Sequence, residues 1–516
     1  MPPRDATPAP RGGEGPAPPA GARAHRLLLA VCAVFALLSL ALVPPTLPLG
    51  WDELVYASRF SSHAPATPFS APRTRGVPFL IAPVASWSDS VVLLRLWLTL
   101  LSTAALYLGF RPWLRAAHRP SAAAVAAGLY GCLWVALFYA SAAMPNHYTA
   151  MGAVGAVGLF LRARPTAATY AGIAAWLALA TLMRPNDGAA VAAPLLLAAL
   201  LVRAWRGRGR VLAVLGGLGA GALPWIVEAY VRFGGVRERL ARASEVQGDL
   251  RPLLSFVHHL TVLDGPLLCR PCDGDGIRLV PAQWWVLLPL LVAAGLWTLR
   301  RRAPDVLPAH ALALGTALSV ALPYLLLVPY AAPRFLLPAH ALLAPTAATG
   351  LLAVAGLART PGRRRAAGVV LPAVLALALT GHLVAQLLLV HGNSRIQSGA
   401  RDDWARVAEV LNAHGVGGGR TKNGGRDGSG APPRCVLRGN TSVIPIAYAA
   451  RCDPAGHDDP RRPSALVLRE AAPPRWARDW PRHVVPHTYA PGWVVHVRPG
   501  TPIAPDIRNS PPGVRS

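Results

Sequence analysis

Long apolar runs that alternate with clusters of arginine constrain the fold of this 516-residue chain more than any other feature. Hydrophobic residues make up 53% of the chain and charged residues only 15%, whereas about 25% of the residues in a soluble domain are charged. Inside a bilayer each backbone polar group needs a partner within the protein, and a helix supplies one locally. The pattern therefore predicts an α-helical polytopic membrane protein.

Eleven apolar runs are candidate transmembrane helices. Several are shorter than the roughly 20 residues that cross a bilayer, but tilt, burial and helix breaks accommodate short spans. The approximate ranges are 26–44, 89–110, 121–141, 147–161, 167–183, 188–203, 210–230, 283–299, 308–329, 334–357 and 368–390. We therefore predict about eleven transmembrane helices.

The arginine clusters set the orientation of these spans. They follow every even-numbered span, and further arginines precede the first one: Arg4, Arg11, Arg23, Arg26, Arg111, Arg115, Arg119, Arg162, Arg164, Arg203, Arg206, Arg208, Arg210, Arg300, Arg301, Arg302, Arg363, Arg364 and Arg365. Short loops rich in arginine stay in the cytoplasm. We expect a multi-pass plasma-membrane protein with its N-terminus in the cytoplasm and its C-terminus outside. The net charge of +27 then reflects topology, and no nucleic-acid partner is predicted.

The composition divides the chain into three parts. Residues 1–25 are rich in Pro, Gly, Ala and Arg and cannot bury a core, so we predict a disordered cytoplasmic N-terminus. Residues 26–391 form the transmembrane domain, with exoplasmic loops at 45–88 and 232–283. Residues 392–516 form an exoplasmic C-terminal domain.

The C-terminal part combines one amphipathic stretch with short apolar segments. Trp404, Val407, Ala408 and Leu411 share one helical face. The short apolar segments are 435–437, 444–449, 465–468 and 493–497. A helix followed by short strands predicts a small α/β domain.

Four cysteines are expected outside the cytoplasm, where disulfides persist. We interpret Cys269 and Cys272 as a structural loop staple, because a redox C-x-x-C motif needs a thioredoxin-like context. The pairing of the four stays open at this point, and a bridge between Cys435 and Cys452 is one arrangement.

Two adjacent carboxylates, Asp52 and Glu53, follow the first span by only a few residues. Ionisable groups near the membrane are costly, so they are candidates for function by default. The alternative is an interfacial acidic pair that merely ends a helix.

One apolar helix followed by an outer loop with Asp-Glu near its start resembles the C-type membrane glycosyltransferases. That superfamily includes protein O-mannosyltransferases, aminoarabinose transferases and many bacterial relatives. Three short motifs agree, and the likeness covers roughly residues 25–360. The motifs are Arg73-Thr74-Arg75-Gly76-Val77-Pro78, Thr181-Leu182-Met183-Arg184-Pro185 and Pro333-Arg334-Phe335-Leu336-Leu337-Pro338.

The resemblance implies a reaction. Members of the superfamily take a sugar from a polyprenyl-phosphate donor and transfer it, usually with inversion, to an exoplasmic acceptor. For this chain the acceptor class stays open between a lipid, a polysaccharide and a protein of the cell envelope.

The resemblance also implies roles for individual residues. Asp52 is the expected general base, because a carboxylate within hydrogen-bond reach can deprotonate an acceptor hydroxyl. Glu53 is expected to orient a neighbour, bind a divalent ion or hold the loop, and these three roles stay open. Arginine binds phosphate bidentately, although each arginine could instead reach lipid headgroups. The expected phosphate ligands are Arg73, Arg75, Arg184 and Arg334.

The loop between the third and fourth spans departs from the family pattern. Several relatives carry a second acidic residue there, but residues 144–148 contain none. We expect Asn146 or His147 to bind sugar hydroxyls, unless Asn146 simply caps a helix. Asp187 is expected to bind substrate or to pair with Arg184. No cofactor is predicted, and participation of a divalent cation stays open.

Two other functional classes compete with a glycosyltransferase: a polytopic transporter or lipid flippase, and a membrane scaffold. Convergence of Asp52, Arg184 and Arg334 on one outer site favours the enzyme. A path of polar residues through the bilayer favours transport.

Overall fold

The computed structural model describes residues 20–61, 63–272, 276–357, 365–417, 435–456 and 459–500. Residues 1–19 of the predicted disordered N-terminus lie outside this range, and the first helix already begins at Ala20. In chain order the α-helices of the described residues are α1 (Ala20–Leu42), α2 (Trp51–Ala57), α3 (Gly76–Ala85), α4 (Val91–Phe110), α5 (Trp113–Ala116), α6 (Pro120–Gly131), α7 (Trp134–Ala140), α8 (Asn146–Phe160), α9 (Ala167–Met183), α10 (Pro185–Leu201), α11 (Arg208–Glu228), α12 (Val236–Val246), α13 (Phe256–Thr261), α14 (Leu279–Arg302), α15 (Leu307–Leu326), α16 (Leu337–Leu357), α17 (Arg365–Ala413) and α18 (Val443–Ala450).

Every predicted span coincides with a helix or a helix pair. Within the described residues, seven helices are long and apolar enough to cross a bilayer, or eight if the bent pair α6 and α7 counts as one span. The remaining three, α8, α9 and α10, have 15, 17 and 17 residues. The protein is an α-helical polytopic membrane protein, while the count of eleven spans stays a prediction.

The predicted span 121–141 consists of two helices with a sharp break between them. Helices α6 and α7 meet at an angle of 81°. The break frees the backbone N–H of Trp134, which donates to Gln386 Oε1 on α17 at 2.7 Å. A side chain from a neighbouring helix thus satisfies the group that an uninterrupted helix would have paired. The bend directs α7 toward the end of the bundle that carries α2.

The predicted boundary at 391/392 does not interrupt the secondary structure. Helix α17 runs for 49 residues from the transmembrane domain into the C-terminal part, so the span and the amphipathic stretch are one helix. Val407, Ala408 and Leu411 are buried and Trp404 is partly buried, which confirms the predicted apolar face. One rigid element therefore joins the two parts.

The C-terminal part contains a small mixed sheet packed against α17 and α18. Its strands are β1 (Val436–Gly439), β2 (Asp453–Pro454), β3 (Ala465–Arg469), β4 (Arg482–Val484) and β5 (Trp493–Val497). The order is β2-β1-β3-β5-β4, with β1 parallel to β2 and β3, and β5 antiparallel to β3 and β4. The expectation of a strand at 444–449 is wrong, because this segment lies in α18 and buries Ile446 and Ala447 against the sheet.

Both candidate cysteine pairs are bonded. Cys269 bonds to Cys272 within the loop before α14, and Cys435 bonds to Cys452 beside β1 and β2. The first bridge links two residues of one loop, as expected. The second links the end of α18 to the start of β1.

Helices α14 and α16 pack through glycines at very short distance. A Cβ atom on Gly350 would lie 2.0 Å from the carbonyl oxygen of Leu291, and one on Gly295 would lie 2.2 Å from that of Thr346. Small residues allow such close backbone contact, which is a main source of helix association in membranes.

We predict that Gly350→Leu destabilises the protein by about 1–3 kcal/mol, the usual range for overpacking. The measurement is the thermal unfolding midpoint of the purified protein in detergent. Gly315→Leu on α15 is the matched control, because a Cβ at Gly315 meets nothing within 4 Å. Equal midpoints for the two variants would contradict the packing argument.

Candidate active site

The short helix α2 directs the side chains of Asp52 and Glu53 into two different environments. Adjacent residues on a helix point about 100° apart, so one carboxylate faces the outside of the bundle while the other faces its interior. The Asp52 side chain is 36% exposed, whereas that of Glu53 is 4% exposed. The end of the bundle that carries α2 is called the Asp52 side below.

Two arginines from distant parts of the chain bind the Asp52 carboxylate. Arg73 Nη2 donates to Oδ1 at 2.7 Å, and Arg334 Nη2 donates to Oδ2 at 3.4 Å. Arg73 lies in the loop before α3, and Arg334 lies in the 3₁₀ turn before α16. The fold therefore brings together three of the residues that sequence analysis singled out.

Neighbouring groups hold these arginines in place. Arg334 Nη1 donates to the carbonyl oxygen of Leu267 at 2.7 Å and to Tyr139 Oη at 3.2 Å. The Arg73 guanidinium lies 5.4 Å from the centre of the Tyr56 ring. The backbone carbonyl oxygen of Arg73 accepts a hydrogen bond of 2.8 Å from Arg239 Nη2. Arg73 Nε also donates to Ser70 Oγ at 3.2 Å, so both guanidinium groups are held by neighbours other than Asp52.

Arg184 is the third cation of the site. It sits at the junction of α9 and α10, and its Nε lies 3.2 Å from Asp187 Oδ2. Its guanidinium lies 5.3 Å from the ring centre of Tyr324 and 5.1 Å from that of Phe335, next to Arg334. The expected pairing of Asp187 with Arg184 is confirmed, and Tyr324 also donates a hydrogen bond to Asp187.

The surrounding charges keep Asp52 ionised. Burial alone would raise the pKa of the Asp52 carboxyl, but the positive charges of Arg73, Arg334 and Arg184 outweigh burial and hold this pKa below its ordinary value. Asp52 is therefore a carboxylate throughout the neutral range, the form that a general base requires.

Glu53 lies at the centre of a buried polar cluster. Its carboxylate accepts from Arg95 Nη2 at 2.9 Å, Arg401 Nη1 at 3.2 Å, the N–H of Ala143 at 2.9 Å and the N–H of Gly50 at 2.8 Å. The opposing charges of Arg95 and Arg401 outweigh burial and lower the pKa of Glu53. Of the three roles that sequence analysis left open, this geometry favours holding the loop.

Two residues of this cluster, Arg95 and Arg401, were not predicted from the sequence. Arg95 lies inside α4 with its side chain 1% exposed, and Arg401 lies on α17 with its side chain 5% exposed. A single arginine within an apolar run was the available signal for Arg95, because an intramembrane charge needs a partner. Nothing local distinguishes Arg401 from the other arginines near it.

Three predicted binding residues do not contact Asp52: Arg75, His147 and Asn146. Arg75 pairs with Glu228, which also binds Arg239 at 3.1 Å. His147 is buried in the bundle, where its ring nitrogens contact Tyr130 Oη at 3.0 Å and the carbonyl oxygen of Ser102 at 2.9 Å. Such a histidine is a paired core residue.

Asn146 begins α8 and is fully buried, and neither polar atom of its amide has a hydrogen-bond partner within the described residues. Its side chain does not cap α8, so the helix-cap interpretation fails for the amide group. Its expected contact with sugar hydroxyls stays a prediction.

The described residues contain no group of three or more His, Cys, Asp or Glu side chains that could hold a metal ion. Guanidinium groups contact both oxygens of Asp52, and donor groups from four residues surround Glu53. The arrangement is therefore suited to binding an anion beside a carboxylate.

No protein-family model and no curated protein sequence matches the chain. Its structure is similar to that of ArnT from Cupriavidus metallidurans bound to undecaprenyl phosphate, with a TM-score of 0.57 and 15% identity over 91% of this chain and 97% of that one. It is also similar to the oligosaccharyltransferase AglB from Archaeoglobus fulgidus in complex with an inhibitory peptide and a dolichol-phosphate. That match has a TM-score of 0.52 and 15% identity, and covers 86% of this chain and 69% of that one. The chain has the fold of the C-type membrane glycosyltransferases.

Proposed function

We propose that the protein is a membrane glycosyltransferase that moves a sugar from a polyprenyl-phosphate donor to a cell-envelope acceptor on the extracytoplasmic side. The observation that carries the proposal is a partly exposed carboxylate, Asp52, in contact with Arg73 and Arg334 and in the field of Arg184. A base next to a cluster of phosphate-binding cations is what transfer from a phosphate leaving group requires.

The two structural neighbours support a lipid-phosphate donor. One is recorded with undecaprenyl phosphate and the other with a dolichol-phosphate. Both are lipid phosphates, and a lipid carrier that keeps the sugar at the membrane surface accounts for a polytopic catalyst.

The proposed reaction is a single displacement at the anomeric carbon. The acceptor hydroxyl attacks this carbon from the face opposite the phosphate, and Asp52 takes the hydroxyl proton. The bond between the anomeric carbon and the phosphate oxygen breaks, and the electron pair leaves with the lipid phosphate. Arg73, Arg184 and Arg334 stabilise the charge that develops on the phosphate. The anomeric configuration inverts.

Donor binding has a consequence for the base. A phosphate competes with Asp52 for the bidentate donors of Arg73 and Arg334. When a guanidinium turns toward the phosphate, Asp52 loses part of the positive field that lowers its pKa. The carboxylate becomes a stronger base when the donor is bound, which links deprotonation of the acceptor to the presence of donor.

The convergence of Asp52, Arg184 and Arg334 on the Asp52 side supports an enzyme over a transporter. A transporter needs polar groups that lead through the bilayer to a midplane site between repeats. Here the charged groups cluster where α2, α10 and the turn before α16 meet, at one end of the bundle.

We predict that Asp52→Asn lowers sugar transfer by about 10²–10⁴-fold, the usual contribution of a general base. The measurement is transfer from radiolabelled polyprenyl-phosphate sugars in membranes that contain the wild-type or variant protein at equal abundance. Asp89→Asn, an exposed carboxylate before α4, is the control and is expected to be neutral. Full activity of Asp52→Asn would reject the base. Absence of transfer by the wild type with all donors and acceptors would reject the function.

We predict that the pH dependence of kcat/KM reports the low pKa of Asp52. Because the folded pKa is depressed, the carboxylate persists as pH falls, and kcat/KM should stay flat down to about pH 5, above the ordinary Asp pKa of about 3.9. Arg73→Gln removes a cation, so the acidic limb should move to higher pH. An acidic limb between pH 5 and 7 in the wild type, or no movement in Arg73→Gln, would contradict this assignment.

We predict that Arg401→Gln lowers kcat and stability while it changes the donor KM by less than about twofold, since Arg401 acts through Glu53 and not on the donor. Breaking a buried ion pair typically costs about 3–5 kcal/mol. The measurements are thermal unfolding and initial rates at varied donor. Arg395→Gln on the same helix is exposed and is the matched control. If Arg401→Lys restores stability but not kcat, we conclude that Arg401 positions Asp52. An unchanged kcat in Arg401→Gln would refute this positioning role.

A further inference from the structure

A cavity with a charged rim lies at the end of the bundle opposite Asp52. It has a volume of about 570 Å³ and is lined by residues of α1, α4, α5, α8 and α9 and of the connections after α4 and α8. Its charged rim consists of Arg111, Arg115 and Arg162. Its apolar wall includes Leu108 and Trp176. The cavity therefore offers a cluster of cations directly above an apolar surface.

The lengths of the helices place this cavity at the end of the bundle opposite Asp52. Arg95 on α4 contacts Glu53, and Arg111 follows it by 16 residues, which corresponds to about 24 Å along a helix. Helix α9 runs between the same two faces, since Met183 at its end accepts a hydrogen bond from Thr74 near the Asp52 site. The cavity cannot share a ligand headgroup with Asp52.

The arginines of the rim differ from the arginines of the interior. Arg95, Arg184 and Arg239 each form an ion pair with a carboxylate. Within the described residues, Arg111, Arg115 and Arg162 form none, and Arg162 Nη1 has only a long contact of 3.5 Å with Thr169 Oγ1. Three neighbouring cations repel one another, so an anion between them lowers the energy of all three.

The backbone that carries these arginines is held rigidly. The buried Arg210 donates to the carbonyl oxygens of Phe160 at 3.2 Å and Arg162 at 2.6 Å, which pins the turn after α8. Trp113, which is fully buried, donates to the carbonyl oxygen of Val154 at 2.9 Å and anchors α5 next to α8.

Helix α1 closes the remaining side of the cavity. His25 on α1 lies 2.7 Å from Tyr107 Oη on α4, and both His25 and Gly21 line the space. Contacts from Arg210, Trp113 and His25 thus fix the backbone around the rim.

From this geometry we infer a binding site for an anionic glycerophospholipid. Arg111, Arg115 and Arg162 bind its phosphate, and the apolar wall with Trp176 receives the start of its acyl chains. Basic pockets between transmembrane helices bind anionic headgroups in this way. Free phosphate would leave the apolar wall exposed. The site is independent of the proposed sugar transfer, because it lies at the other end of the bundle.

The test is native mass spectrometry of the delipidated full-length protein titrated with phosphatidylglycerol or phosphatidylcholine. We expect phosphatidylglycerol to bind more tightly. At about 1 kcal/mol per arginine, or about fivefold, the triple variant Arg111→Gln, Arg115→Gln, Arg162→Gln should bind it roughly a hundredfold more weakly. The single variant Arg115→Gln, at an exposed side chain, should show about a fivefold loss if the triple variant does not fold.

The matched control is Arg203→Gln, Arg206→Gln, Arg208→Gln, which removes three exposed charges outside the cavity. It should keep wild-type binding. Equal losses in both triple variants would overturn the site in favour of diffuse charge attraction. Displacement of the lipid by millimolar inorganic phosphate would instead identify a soluble anion. Stronger binding of polyprenyl phosphate at the same arginines would overturn the inference in favour of the carrier lipid.

Discussion

The buried contact of Glu53 with Arg95 and Arg401 is the interaction on which the arrangement of the candidate site depends. Glu53 belongs to α2, Arg95 to α4 and Arg401 to α17, and Ala143 adds a backbone donor from the loop before α8. A carboxylate with one of these partners removed would be left buried and incompletely paired, which is costly. The cluster therefore fixes α2, and with it the direction in which the neighbouring Asp52 points.

This contact also connects the C-terminal part to the site. Helix α17 carries Arg401 at the site and then buries Val407 and Leu411 against the small sheet. Asp403, two residues from Arg401, accepts hydrogen bonds from the N–H groups of Tyr489 at 2.6 Å and Ala490 at 2.8 Å. One continuous helix therefore contacts both the C-terminal sheet and Glu53.

The chain uses arginine for three physical tasks. Within the bundle, Arg95 and Arg239 balance buried carboxylates and bind backbone carbonyls. Around Asp52, Arg73 and Arg334 bind a carboxylate that stays partly open to solvent. At the opposite end, Arg111, Arg115 and Arg162 line a cavity and have no carboxylate partner among the described residues. The geometry of the partners, rather than the residue type, separates these tasks.

The sequence by itself determined the class of fold, the order of the helices and the small C-terminal α/β part, and it singled out Asp52 as a candidate base. Hydrophobic periodicity and the cost of charge near lipid are local properties, and a single chain displays them directly. The tertiary structure alone decided that Arg73 and Arg334 bind Asp52 while Arg75 binds Glu228, although Arg73 and Arg75 are two residues apart. It also decided that α6 and α7 bend apart, that α17 is uninterrupted, and that Arg401 reaches Glu53 across 348 positions of sequence. These outcomes depend on which distant groups are available to satisfy a buried polar atom, and that availability arises only when the helices pack.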